Sequence, residues 1–287
     1  MALPGREVDL PTLARHLVEH GPHKTLSTER RVRVLINGAC IADSLGTTGA
    51  LFVWEHPHYP QLYFPRDALV KNVSGYNIIY EDHQDVKSAQ DKVIAKTLKV
   101  KVQRNSDNDM KEIKDGFMVF DDKLDGKASA LSGMLKINFS AGDQWLEEDT
   151  PMFVHPKDPF KRLDILQSSR SVRVAVDGKT IAESQTCMQL YETGLPVRYY
   201  MPLTSIDTSL LRPSDTITAC PYKGEASYYN VVVGDRTHKD IIWYYNHPIV
   251  ECAAITGLCC FYNEKVDMWV QNGDEWKKLE KANSIFS

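Results

Sequence analysis

Short apolar runs with β-branched and aromatic residues dominate the chain, and most of them end at a turn-forming residue. They include VRVLI, VRVAV, LYFP, SYYNVVVG and DIIWYY. Such runs between turn signals are typical of strands, and the pair Asp177-Gly178 is typical of a hairpin turn. The pattern predicts a mainly all-β fold of antiparallel, meander-like strands.

Helical periodicity is confined to short stretches. PTLARHLVEH, which begins at Pro11, places Leu13 and Leu17 on one face and predicts a short N-terminal helix. A second stretch with helical character lies near Asp85–Lys96. Neither changes the predicted class, which is all-β with one short N-terminal helix.

The chain also repeats itself. RVRVLINGACIADS begins at Arg31 and SVRVAVDGKTIAES begins at Ser171, and both contain V-R-V-x3-G-x2-I-A-[D/E]-S. Two further pairs of blocks follow in the same order: WEHPHYPQLYFP (54–65) with YETGLPVRYYMP (191–202), and ALSGMLKINFSAGDQW (130–145) with AITGLCCFYNEKVDMW (254–269). Three ordered blocks indicate a duplicated domain.

The repeats predict the domain organisation. The predicted segments are an N-terminal extension (1–28), a first repeat (29–150), a linker (151–169), a second repeat (170–276) and a C-terminal tail (277–287). The linker is rich in proline and charge, which disfavours regular structure. Its apolar Phe160, Leu163 and Ile165 suggest that it packs against a domain.

The repeats differ most in their middle segments. The second contains CPYKGEASYY at 220–229, whereas the first has no counterpart of CPYKG and aligns Gly116 with Asp240. A purely structural feature would be needed in both copies. The asymmetry therefore favours a functional role for the region around Lys223.

Composition and charge narrow the function classes. The chain is 43% apolar and 25% charged, as in soluble globular proteins, and its formal charge of −4 predicts no nucleic-acid partner. No apolar run approaches the ~20 residues that span a bilayer, and the N-terminus lacks the apolar segment of a signal peptide. No cysteine pair has C-x-x-C spacing, so the strong zinc signature is missing. Free thiols in a chain without a signal peptide predict a cytoplasmic protein, and we expect no cofactor. The sequence makes no prediction of the oligomeric state.

The second repeat resembles a small-domain family known as domain of unknown function 427, sometimes labelled nucleotidyltransferase-like. The matching motifs cover nearly all of 171–273: V-R-V-x3-G-x2-I-A-E-S, E-T-G-L-P-V-R-Y-Y-x-P, P-S-D-T-x-T-x-C-P-Y-K-G-x-A-S-Y-Y, D-x-x-W-Y-Y and F-Y-N-E-K-V-D-x-W-V. The first repeat resembles the family only at its two ends. The resemblance implies two tandem β-tent-like domains, each with antiparallel sheets splayed around a cavity.

The label of transferase is not supported by motifs in this chain. A nucleotidyltransferase should show a Gly-Ser turn followed by paired carboxylates for Mg²⁺, and the sequence contains neither this pattern nor a P-loop. Some β-tent relatives hold zinc on paired C-x-x-C knuckles. Their absence from this chain implies a metal-free version of the fold.

The candidate site combines charged and aromatic residues of the second repeat. The candidate catalytic residues are Lys223, Glu192 and Asp240, and the candidate substrate-binding residues are Arg198, Tyr200, Tyr222, Tyr228, Tyr229 and Trp243. A lysine walled by aromatic rings loses solvation, which lowers its pKa and suits it to act as a base or nucleophile. A carboxylate close by would oppose that shift and hold a fixed ion pair.

Each candidate also has a structural alternative. Lys223 could be a turn lysine in water, Glu192 and Arg198 could form an ion pair that orients two strands, and Asp240 could accept hydrogen bonds from a loop. Cys220, three residues before Lys223, could act as a nucleophile only beside a basic group or a histidine.

The residues favour a cofactor-independent enzyme acting on a small organic molecule by isomerisation, elimination, cyclisation or hydrolysis. Lys223 with Glu192 or Asp240 would supply acid–base chemistry, and Arg198 would hold an anionic or enolate oxygen. The alternative is a non-catalytic module that binds a small molecule or a partner, and nucleotidyl transfer is a third hypothesis. An enzyme is favoured because acids and bases on adjacent strands are costly unless used.

Overall fold

The computed structural model describes residues 9–107 and 109–281, which form two compact units divided between Asp158 and Pro159. The first unit contains α1 (Leu10–His20), β1 (Lys24–Thr28), β2 (Val32–Ile36), β3 (Ala39–Asp43), β4 (Ala50–Trp54), β5 (Gln61–Pro65), β6 (Tyr76–Lys87), β7 (Val93–Arg104), β8 (Met110–Phe120), β9 (Met134–Ile137), β10 (Gln144–Glu147) and β11 (Thr150–Pro151). The second contains β12 (Leu163–Ser168), β13 (Val172–Val176), β14 (Lys179–Ser184), β15 (Cys187–Glu192), β16 (Arg198–Met201), β17 (Leu211–Cys220), β18 (Gly224–Val233), β19 (Arg236–Tyr244), β20 (Cys259–Phe261), β21 (Asp267–Asn272) and β22 (Glu275–Lys278).

Both units have the same two-sheet topology. The first unit has a seven-stranded sheet in the order β1-β4-β5-β9-β8-β7-β6 and a four-stranded sheet in the order β11-β10-β2-β3. The second unit repeats this arrangement, strand for strand, as β12-β15-β16-β20-β19-β18-β17 and β22-β21-β13-β14. Each strand of the first unit thus has a positional counterpart in the second. The predicted tandem duplication, its antiparallel all-β class and the short N-terminal helix are confirmed.

Each unit buries apolar side chains on both faces of its seven-stranded sheet. One face packs on the four-stranded sheet, as Phe64 and Trp145 do in the first unit and Tyr199 and Met268 in the second. We call the opposite side the outer face. Since successive strand residues point to opposite sides, Tyr200 lies on the outer face next to the inward Tyr199.

The N-terminal helix covers the outer face of the first unit. The Asp9 carboxylate accepts the Thr12 N–H at 3.0 Å and caps α1. Leu13 and Leu17, at most 5% exposed, pack in the same apolar cluster as Tyr63 of β5. No helix in the described part of the chain is long and apolar enough to cross a membrane.

Two local predictions differ from the structure. Residues 85–96 form parts of β6 and β7 with a turn between them, so the predicted helical character there is wrong. Val86 pairs opposite Ala95, and Asp91 adopts a φ of +63° in the turn. Residues 163–168 of the predicted linker form β12, because their apolar side chains pack on β15.

Candidate functional site

The outer face of the second unit collects most of the predicted site residues. Glu192 ends β15, Arg198 and Tyr200 lie two residues apart on β16 and so share one face, Tyr228 lies on β18, and Trp243 lies on β19. Strand pairing places Tyr228 directly opposite Trp243. Side chains distant in sequence thus meet on one surface because the sheet order brings their strands together.

Lys223 is buried in the turn between β17 and β18. Its Nζ lies 2.6 Å from Glu192 Oε2, and both residues are 8% exposed. The other Glu192 oxygen, Oε1, lies 3.3 Å from Lys161 Nζ. We call these three residues the lysine–glutamate cluster. It carries a formal net charge of +1 and reaches solvent at Lys161, whose side chain is 20% exposed.

Local backbone geometry holds Lys223 in place. Gly224 adopts a φ of +96°, a conformation that favours glycine, and this lets the chain turn directly into β18. The Lys223 carbonyl accepts the Ile249 N–H at 3.1 Å, and the Tyr222 carbonyl accepts the Cys252 thiol at 3.2 Å. The segment after β19 therefore anchors the turn that presents the lysine.

The pKa of Lys223 is raised above its ordinary value. Burial opposes the charged form, but the neighbouring Cys220 and Glu192 favour it more strongly. The Cys220 sulfur lies 3.7 Å from Lys223 Nζ. The prediction of a lysine with a depressed pKa between aromatic rings is therefore wrong, and so is the prediction of a turn lysine in water. The third possibility, a nearby carboxylate that opposes the shift and holds a fixed ion pair, matches the contact with Glu192. Lys223 is a buried ammonium in an ion pair.

Aromatic side chains line the face beside this cluster. The Trp243 indole N–H donates to the Tyr200 hydroxyl at 3.0 Å, and its ring lies 4.5 Å from that of Tyr262. Burial, together with a hydrogen bond to Tyr228, raises the pKa of Tyr262. These four residues, Tyr200, Tyr228, Trp243 and Tyr262, form what we call the aromatic wall. Tyr222 lies beside the lysine–glutamate cluster, with Lys161 Nζ 5.4 Å from its ring centroid.

Arg198 is paired with Glu264 rather than with Glu192. Its guanidinium makes a bidentate contact with the Glu264 carboxylate at 2.9 and 2.8 Å. It also lies 5.5 Å from the Trp243 ring centroid. The predicted ion pair between Glu192 and Arg198 is therefore wrong, because each has found a different partner of opposite charge.

Two predicted site residues are not brought to this cluster. Tyr229 points to the inner face, where its ring stacks on Tyr244 at 4.8 Å. Asp240 accepts the Thr216 hydroxyl at 2.9 Å, and its own N–H donates to Asn230. The predicted alternative was a carboxylate that accepts hydrogen bonds from a neighbouring loop, but the donor, Thr216, lies on strand β17.

The first unit retains more of this chemistry than its sequence indicates. Strand pairing matches Met118 to Trp243, and therefore Asp115 rather than Gly116 to Asp240. The alignment of Gly116 with Asp240 is off by one residue, because the segment between the paired positions of β8 and β9 is one residue longer than the segment between those of β19 and β20. Asp240 thus has an acidic counterpart in the first unit.

Sequence reasoning missed Lys161 and Glu264 as members of the site. Lys161 lay in the predicted linker, and Glu264 lies in the turn between β20 and β21. The FYNEKVDMW motif contains Glu264, so the motif offered a signal for this residue. In the described residues, no three His, Cys, Asp or Glu side chains are grouped in a way that could hold a metal ion.

Comparison with known proteins gives a family for the chain. No curated protein matches it. A family model described as domain of unknown function (DUF427) matches residues 24–147 and again residues 164–272. The two matched segments coincide with the two structural repeats and together cover most of the sequence. The chain therefore belongs to the DUF427 family, as a tandem member with two copies of the domain.

Proposed function

We propose that the second unit is an enzyme that acts on a small organic anion by acid–base chemistry of its own side chains. The observation that carries this proposal is the buried lysine–glutamate cluster, in which one carboxylate is held between Lys161 and Lys223. Its net positive charge beside the aromatic wall suits a ligand with an apolar body and a carboxylate or enolate oxygen.

The raised pKa of Lys223 assigns its role in this proposal. At neutral pH Lys223 carries its proton, so it donates a hydrogen bond or a proton and stabilises negative charge that develops on the substrate. Glu192 is then the group that accepts a proton from carbon or oxygen. Isomerisation, elimination, cyclisation and hydrolysis all include a proton transfer of this kind.

Access to the outer face supports the second unit as the location. In the first unit Leu13 and Leu17 of α1 cover that face. In the second unit Thr218, whose hydroxyl contacts Tyr228 at 2.7 Å, is exposed. Tyr200, Tyr228 and Trp243 are at most 7% exposed, so we place the approach of a small molecule at Thr218, on the side of β17.

Hydrogen exchange at carbon tests this proposal without knowledge of the full reaction. Wild-type protein is incubated in D2O with a panel of small keto acids and carboxylic acids, and loss of α-protons is followed by NMR. Lys223→Met and Glu192→Gln should abolish the protein-dependent exchange. Lys136→Met, which removes a buried lysine from the first unit, is the matched control and should leave it unchanged. Exchange that persists in both Lys223→Met and Glu192→Gln would contradict the enzymatic assignment.

A non-catalytic binding module is the second candidate, and the direct ion pair between Lys223 and Glu192 favours it. A lysine that stays charged and fully engaged with Glu192 can anchor an anionic ligand without transferring a proton. In that case panel compounds should raise the melting temperature of the wild type but not of Lys223→Met, and no α-proton should exchange. A cytoplasmic location is part of both proposals, supported by the six free cysteines.

A further inference from the structure

The first unit contains a polar cavity of about 300 Å³ beneath the start of α1. It is lined by Asp9, Leu10, Pro11, Gln84, Thr97, Asp115 and Asn138. All of these residues belong to the first unit, so the cavity is separate from the lysine–glutamate cluster.

The cavity arises from small residues at positions where the second unit has aromatic rings. Thr97 pairs opposite Met118 as Tyr228 pairs opposite Trp243. Asn138 follows β9 as Tyr262 follows β20. Two rings of the aromatic wall are thus replaced by a hydroxyl and a carboxamide. The space left by the smaller side chains lies under α1, which has no counterpart among residues 159–281, the described part of the second unit.

The interior of the cavity offers hydrogen-bonding groups that the protein leaves unused. Asn138 is 8% exposed and lines the cavity, yet no hydrogen bond joins its carboxamide to another described residue. Thr97, 4% exposed, makes only a long contact of 3.5 Å with the Gln84 carbonyl. The carboxamide of Asn138 and the hydroxyl of Thr97 therefore have hydrogen-bonding capacity left for a polar ligand in the cavity.

The charges around the cavity favour a ligand that carries a positive charge. Asp9 and Asp115 contribute two carboxylates, and none of the described residues that line the cavity is basic. The start of α1 contributes about half a positive charge, which the two carboxylates outweigh. Asp9 uses one oxygen to cap α1, and Asp115 is exposed at the rim.

We propose that this cavity is a second binding site, for a small organic amine in its protonated form. The ammonium group donates hydrogen bonds to the side-chain carboxamide oxygen of Asn138 and to the Thr97 hydroxyl, and its charge is balanced by Asp115. Leu10 and Pro11 contact the aliphatic part of the ligand. The site is independent of the function proposed for the second unit.

Calorimetric titration of the full chain with diaminobutane and with ethanolamine tests this site. Saturable binding is expected for the amines, and not for butanediol or succinate, which lack the positive charge. Asp115→Asn should weaken binding on the order of fivefold, as expected for loss of one partly exposed charge pair. Added salt should weaken binding by the wild type as well.

The matched control is Asp240→Asn, which makes the same change at the equivalent position of the second unit and should leave amine binding unchanged. Asn138→Leu should abolish binding. If Asn138→Leu does not fold, Asp115→Asn still tests the proposal, because Asp115 lies at an exposed position. Equal binding of butanediol and diaminobutane would overturn the proposal. So would an absence of saturable amine binding at millimolar concentrations, or equal affinities for wild type and Asp115→Asn.

Discussion

Glu55 and Lys136 form a buried ion pair in the first unit, with Glu55 Oε1 2.8 Å from Lys136 Nζ. Glu55 occupies the position of Glu192, since Leu51 and Met188 pair opposite the equivalent tyrosines of the next strand. Lys136 lies on β9, however, whereas Lys223, the lysine that pairs with the equivalent glutamate of the second unit, lies in a turn.

The first unit has therefore kept the buried carboxylate and supplied its cation from another strand. The position of Lys136 is occupied in the second unit by Cys260, since both lie opposite the buried tyrosine of the preceding strand. The absence of a CPYKG motif does not imply loss of the ion pair. The sequence-based argument from asymmetry is therefore weakened for the charges, because both ion pairs are buried: the side chains of Glu55 and Lys136 are 12% and 4% exposed, and those of Glu192 and Lys223 are 6% and 10% exposed.

Lys136→Met should destabilise the first unit by about 3 kcal/mol, because removal of one partner leaves the buried Glu55 charge uncompensated. The Tyr63 hydroxyl also donates to Glu55 at 2.9 Å and would remain as its neutral partner. Urea denaturation followed by circular dichroism measures the effect. The control is Lys87→Met, because the ion pair of Lys87 with Asp91 is largely exposed and should contribute less than about 1 kcal/mol. Equal losses in the two variants would contradict a special role for the buried pair.

The pair between Arg198 and Glu264 should make the second unit sensitive to acid. Burial raises the pKa of the Glu264 carboxyl, but the hydrogen bond and charge of Arg198 lower it more, so the net pKa lies below the ordinary value of 4.5. A carboxyl with a lowered folded-state pKa contributes stability that is present above 4.5 and lost as the pH falls through the folded value.

Glu264→Gln should therefore be less stable than the wild type at neutral pH, and the difference should shrink as the pH falls below about 4.5. Denaturation midpoints measured from pH 7 down to the acid transition provide the comparison. Glu225→Gln, at an exposed position, should follow the wild-type curve throughout. A difference between Glu264→Gln and wild type that does not change with pH would exclude this linkage.

The strands and the duplication could be predicted because their signals are local. Alternation of side chains and the turn residues reveal each strand, and the repeated V-R-V-x3-G-x2-I-A motif reveals its counterpart. The charged segment 85–96 misled the prediction, because polar residues on an exposed strand carry no clear period. The strand at 163–168 was hidden by the prolines just before it.

The pairing of charges at the site could not be predicted, because it depends on which strands become neighbours. Arg198 meets Glu264 only because β16 pairs with β20, and Glu192 meets Lys223 across thirty-one positions of sequence. The direction of the Lys223 pKa depends on that partner. Burial alone predicts a lower pKa, whereas the neighbouring Cys220 and Glu192 together reverse the sign.

Removal of apolar contacts from α1 should uncover the outer face of the first unit. Leu17→Ala should destabilise that unit by about 3 kcal/mol, because Leu17 is fully buried against the sheet. The variant should also bind a hydrophobic dye that the wild type excludes. Glu19→Ala is the control on the same helix, since that side chain is 73% exposed. Unchanged stability and dye binding in Leu17→Ala would show that α1 does not stabilise this face in solution.

Tyr200 and Tyr229 offer a matched test of which face of the second unit binds ligand. Tyr200→Phe removes the acceptor of the buried Trp243 N–H and should destabilise the unit by about 1–3 kcal/mol, because that donor is left unsatisfied. It should also weaken binding of any anionic ligand that rests on the aromatic wall. Tyr229→Phe changes a tyrosine of β18 on the inner face of the same sheet and should leave ligand affinity unchanged.

Affinities for the best compound of the anion panel, measured by calorimetry on both folded variants, separate these outcomes. The comparison is sharp because both substitutions delete one hydroxyl, and the two side chains occupy opposite faces of one sheet. Loss of affinity in Tyr229→Phe with none in Tyr200→Phe would place the ligand between the two sheets. Loss in Tyr200→Phe alone requires the ligand to contact the outer face, where Lys223 and Glu192 lie.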